Sequence, residues 1–126
     1  MRETLSRVAG LVTGVMAGTI ALASGAWAAP IGGTYSVEST NLNGSPYTDM
    51  VEITAPSDAA CEIVWTTTGG SSQGVCMRDG NALAAGYRIG DGVGLVIYLI
   101  EENGTLEGHW TVAGQPGAGT EVLTPQ

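Results

Sequence analysis

The chain has 126 residues, twelve acidic against four basic, no lysine, and a formal net charge of −8. Nucleic acids and anionic membrane surfaces are held by Lys and Arg, so this balance argues against both as partners. It suits a soluble chain, or one that attracts cations or basic partners.

Residues 1–28 read as a secretory signal peptide. Arg2 and Arg7 precede an apolar run from Val8 to Ala23, and Ser24-Gly25-Ala26-Trp27-Ala28 ends in the small-x-small pattern cut by signal peptidase. The run is too short and too rich in Gly and Thr for a membrane span. The expectation is a periplasmic or secreted protein whose single domain occupies residues 29–126. That domain holds eleven acidic residues and only Arg78 and Arg88 as bases.

No later segment carries a sustained 3.6-residue period. Short β-type runs recur instead, separated by turn signals, as in sandwiches and barrels. The first strand is expected at Gly33 to Thr40, with Tyr35 and Val37 alternating against polar neighbours. Asn43-Gly44 turns the chain into the second, Tyr47 to Thr54, whose Tyr47, Val51 and Ile53 share a face. Asp49 falls on that same face, where a carboxylate needs a partner. Arg78 or Arg88 is expected to supply it, unless a bulge turns Asp49 outward.

The third strand, Cys61 to Thr67, places Cys61, Ile63 and Trp65 together. If the turn is centred on Thr68 and Gly69, Cys61 stands opposite Cys76 in the fourth strand, Ser72 to Arg78. An even cysteine count in an exported chain points to one disulfide. Asp79-Gly80 leads into the fifth strand, Ala82 to Ile89, and Gly90-Asp91-Gly92 into the sixth, Val93 to Ile100. The sixth is apolar on both faces, as in a strand buried on both sides, which marks it for a subunit contact. Asn103-Gly104 turns into the seventh, Thr105 to Val112, where Leu106 and Trp110 oppose Glu107 and His109. A short eighth strand, Thr120 to Thr124, ends the chain. Consecutive hairpins of this kind predict an all-β fold, a single antiparallel up-and-down barrel or curled sheet of about eight strands.

Gly70-Ser71-Ser72-Gln73-Gly74 matches G-x-S-x-G, but no helix follows and the only histidine, His109, has no reason to approach Ser72. Gly90-Asp91-Gly92-Val93-Gly94 lacks the helix a phosphate loop needs, and Asp91 would repel phosphate. Two cysteines and one histidine without close spacing make no zinc set, and no acidic turn has the calcium-loop pattern. No catalytic residue, metal or cofactor is expected.

Two stretches carry a resemblance. Gly33-Thr34-Tyr35-Ser36-Val37-Glu38-Ser39-Thr40-Asn41-Leu42-Asn43-Gly44-Ser45-Pro46-Tyr47 is one. The other is Asn103-Gly104-Thr105-Leu106-Glu107-Gly108-His109-Trp110, with the ending Gly119-Thr120-Glu121-Val122-Leu123-Thr124-Pro125. They resemble a family of small exported bacterial β-proteins, some loosely labelled fibronectin-binding. The resemblance implies an exported all-β domain and no established activity. The chain departs from that pattern at Asp49 and in its cysteine pair. The architecture is also similar to avidin and lipocalin barrels, a likeness of fold alone.

The expected function is non-enzymatic binding of a small ligand or protein surface through side chains at a barrel mouth. Trp65, Trp110, Tyr98 and Asp49 are the candidate lining, with core packing the competing role for the three aromatics. The alternative is a structural or interaction protein of the cell envelope, acting as a homo-oligomer through an exposed surface.

Overall fold

Alternation of inward apolar and outward polar side chains sets the strands. The computed structural model describes residues 30–126, and the proposed signal peptide lies outside the described residues. Eight strands follow in order: β1 (Gly33–Thr40), β2 (Pro46–Thr54), β3 (Ala60–Thr67), β4 (Gly70–Asp79), β5 (Ala82–Ile89), β6 (Gly92–Ile100), β7 (Leu106–Val112) and β8 (Gly119–Pro125). Each pairs antiparallel with the next, and β8 returns to pair with β1. The sheet is therefore a closed up-and-down barrel with no unpaired edge to recruit another chain. The fourth strand extends past its expected 72–78, because the hairpin ladder continues to Thr67 opposite Gly70.

Two turns share one chemistry. In 41–45 and in 101–105, the side chain of an Asn accepts the backbone N–H two residues on, from Ser45 and Thr105, each at 3.0 Å. The next residue is a glycine at positive φ, Gly44 at 89° and Gly104 at 90°, a backbone region closed to most side chains.

The core is a stack of inward residues led by Val37, Val51, Ile63, Leu83, Leu106 and Leu123, all almost wholly excluded from solvent. Cys61 and Cys76 face each other across β3 and β4 and form a disulfide, with Cα atoms 4.9 Å apart. At the end where the chain enters β1, Ile31 is buried, and its carbonyl accepts the Tyr35 hydroxyl at 2.6 Å. The opposite end, framed by the β1–β2, β3–β4, β5–β6 and β7–β8 connections, is the mouth.

On the outer wall, the outward residues of β6, Val93, Leu95, Ile97 and Leu99, are exposed in this chain. Val75 and Met77 on β4 extend the patch, because only Gly86 and Ala84 of β5 stand between them and Leu95 and Ile97.

Candidate ligand site at the barrel mouth

Three aromatic side chains are laid flat against the inner wall by one repeated device. Tyr87 on β5 pairs with Gly94 on β6, and its hydroxyl passes over that glycine to the Thr111 carbonyl on β7 at 3.4 Å. Tyr98 on β6 pairs with Gly108 on β7, and its hydroxyl reaches the Glu121 carboxyl on β8. Trp110 on β7 pairs with Gly119 on β8, and its indole Nε1 donates to the Thr40 carbonyl on β1 at 3.1 Å. A Cβ on any of the three glycines would overlap the ring laid across it. Each ring thus needs a side-chain-free neighbour on the next strand and a hydrogen-bond acceptor on the one beyond.

Above this layer lies a cavity of about 260 Å³, open at the mouth. Tyr47, Asp49, Trp65, Tyr87, Trp110 and Glu121 line it, with Asn41, Thr67, Ser72 and Ile89 at the rim. Trp65 and Tyr87 pack ring against ring, centroids 4.9 Å apart and planes tilted by 51°. A larger depression of about 480 Å³ lies on the outer wall over Gly74 and Gly86.

Two carboxyl groups sit inside the barrel. Glu121 is 5% exposed, and its Oε1 accepts both the Tyr98 hydroxyl and, at 3.4 Å, the Trp65 indole N–H. Burial pushes its pKa up to about 7, the two donors oppose the rise, and the Asp49 charge adds to it. Asp49 lies inward as expected, and burial pushes its pKa up to about 6. Its Oδ1 is buried without a hydrogen-bond partner, as is the hydroxyl of Ser39. Ser39 stands between Tyr47 and Glu121 in the ladder, with its side chain inward. Burial also pushes the Tyr47 phenol up to about 12 and raises those of Tyr87 and Tyr98.

Of the four candidate residues, Trp65, Trp110 and Asp49 meet in the cavity. Tyr98 does not line it. With 1% exposure it lies beneath, holding Glu121 from below the cavity surface. Neither arginine serves Asp49. Arg88 alternates with the inward Tyr87 and is exposed on the outer wall. Arg78 lies at the far end of β4, where its Nε donates to the Gly80 carbonyl at 2.9 Å. Ser72 reaches the rim, while His109 is exposed on the outer wall. Among the described residues no group of three or more His, Cys, Asp or Glu gathers as a metal site.

Glu121 was the residue that motif reasoning passed over. Its signal was parity: it shares a face with Leu123, the most buried residue of β8. Val122 between them, equally apolar, hides that alternation.

The fold and site define a small closed barrel with an aromatic, carboxyl-bearing mouth. Among solved structures it is similar to a redesigned beta barrel, with TM-score 0.64 and 16% identity over 76% of this chain and 91% of that one. It is also similar to a de novo designed fluorescence-activating beta barrel, with TM-score 0.58 and 14% identity over 75% and 93%. A third is EF1p2_mFAP2b bound to DFHBI, with TM-score 0.60 and 17% identity over 80% and 98%. At such identities the likeness is one of fold. No protein-family model matches the chain, and none of the curated proteins does.

Proposed function

We propose that this protein is an exported, non-enzymatic binding module that holds a small ligand in the barrel mouth. The observation that carries this reading is the cavity, in which aromatic walls and two carboxyl groups converge and Asp49 Oδ1 is left without a partner. A concave site with apolar walls and a few fixed polar groups is the usual form of a small-molecule site. The volume falls just below the roughly 300–1,000 Å³ of drug-sized sites, so the ligand is small. A barrel of similar fold is known bound to DFHBI, which supports the capacity of the architecture. The Cys61–Cys76 disulfide supports a non-reducing setting, consistent with export.

Fluorescence tests the reading, because Trp65 and Trp110 both face the cavity. A small molecule that binds there changes their emission saturably, and the change is lost in Trp65→Ala. A library of small polar and aromatic molecules that leaves the emission unchanged contradicts it.

A second reading is favoured by the apolar strip of Val75, Met77, Leu95 and Ile97 on the outer wall. Exposed patches of that kind mark association surfaces. On this reading the chain self-associates through β4 to β6, and Leu95→Glu restores the monomer in sedimentation equilibrium. A wild-type monomer at every accessible concentration contradicts it.

A further inference from the structure

We propose that the mouth takes a small organic cation, with a protonated amine set between Asp49 and Glu121 and its hydrocarbon part against Trp65, Tyr87 and Trp110. This deepens, and rests on, the reading of the cavity as a ligand site.

The charge of the interior points to the class. Two carboxyl groups lie inside the mouth, and the chain has no lysine to meet them. Arg88 is exposed on the outside and Arg78 sits at the opposite end. When these carboxyls ionise, no basic side chain stands in the mouth to meet them, and a cationic ligand supplies the missing charge. An anion would meet both carboxyls and the net charge of the chain, −8.

The hydrogen-bonding groups point the same way. Asp49 stands in the cavity wall with its Oδ1 buried and without a partner. A buried acceptor left unmet is destabilising, and a donor brought by a ligand relieves it. An ammonium group brings three donors and no acceptor, which matches the carboxyl oxygens of Asp49 and Glu121. The indole N–H groups do not compete, because Trp65 donates to Glu121 and Trp110 to Thr40. Tyr87 and Trp110, laid across the wall over Gly94 and Gly119, turn π faces to the cavity, and such faces attract cations. A metal ion is a poorer fit, since no third carboxylate, histidine or thiolate joins the pair among the described residues. Burial holds both carboxyls partly protonated near neutral pH, so an entering cation would ionise them and release protons.

A matched set of probes tests the class: phenethylamine, 2-phenylethanol and phenylacetate share a ring and differ in the charge of the tail. Binding is read at pH 7.5 from the indole ¹⁵N–¹H signals of Trp65 and Trp110 in the disulfide-intact protein. Phenethylamine is expected to bind about ten-fold or more tighter than the alcohol, with phenylacetate weakest. Asp49→Asn and Glu121→Gln, which keep shape and acceptor oxygens, are each expected to lower amine affinity by about ten-fold and to leave the alcohol unchanged. Alcohol or carboxylate binding as tight as the amine overturns the cation while the ligand site stands. No shift of either indole signal by any of the three probes at about 10 mM, far above a 1 mM dissociation constant, overturns both.

Discussion

Tyr98 donates its hydroxyl to Glu121 across a strand that lies between them, and it can do so because Gly108 on that strand has no side chain. The bond anchors a carboxyl group that is otherwise walled by aromatic rings. Its consequence for stability follows from the raised pKa, about 7 against an ordinary 4.5. Below pH 4.5 the group is protonated in both the folded and the unfolded chain. Between 4.5 and about 7 only the unfolded chain gives up the proton, so stability falls as pH rises. Above that window both are ionised and the dependence ends. The fall is about 3 kcal/mol in magnitude, at about 1.4 kcal/mol per unit. Asp49, raised to about 6, adds in the same direction. Glu121→Gln is expected to flatten most of this slope and to raise the Tm at pH 8 by about 10 °C, as calorimetry across pH would show. An unchanged slope would refute the buried-acid assignment.

Removing the donor has a different expected effect. The Tyr98 hydrogen bond lowers the Glu121 pKa from where burial alone would put it. Tyr98→Phe should therefore move that pKa further above 7 and extend the loss of stability to higher pH. The ¹³C carboxyl shift of Glu121, followed against pH in both proteins, measures this directly.

The glycines beneath the rings make a sharper packing prediction. A Cβ at Gly108 would come within 2.3 Å of the Ile97 carbonyl oxygen and 2.7 Å of Tyr98 Cδ1, so Gly108→Ala must displace both the neighbouring strand and the ring. A cost of about 1–3 kcal/mol is expected in urea denaturation. Gly86→Ala is the control, because a Cβ there meets only Leu95 Cδ2, at 3.8 Å, on the outer wall. It should stay within about 0.5 kcal/mol of the parent. Equal effects at the two sites would contradict the assigned role of Gly108.

The disulfide closes a hairpin of sequence separation 15. In the chain-entropy view, a loop of that length contributes about 3 kcal/mol by restricting the unfolded chain. Cys61→Ala with Cys76→Ala keeps both buried positions apolar and is expected to lower the urea midpoint accordingly. The β3–β4 pairing should survive, because its ladder runs from Ala60 to Thr67 independently of the bridge.

The barrel was legible because the local signals agree. Period-two alternation, Asn-Gly and Asp-Gly turns, and the register that opposes Cys61 to Cys76 all describe the same meander. The inward direction of Asp49 was legible by parity with Val51 and Ile53. The partner expected for it was not correct: Arg88 alternates outward from Tyr87, and the antiparallel order carries Arg78 to the far end. Nothing local in the sequence sets Tyr98 apart from the aromatic residues that line the mouth. Its contact with Glu121 depends on a register that spans three strands, and no local window contains that relation. The outer face of β6 reads as buried because it is apolar, yet hydrophobicity alone does not say what covers it. In this chain that face is exposed.

Native mass spectrometry of the folded protein, isolated gently from its own host, tests the ligand site most directly. A reproducible added mass of a small amine-bearing molecule is expected, lost on denaturation and absent from Glu121→Gln isolated the same way. The bare polypeptide mass in every preparation, with the disulfide intact, would contradict a ligand-holding mouth.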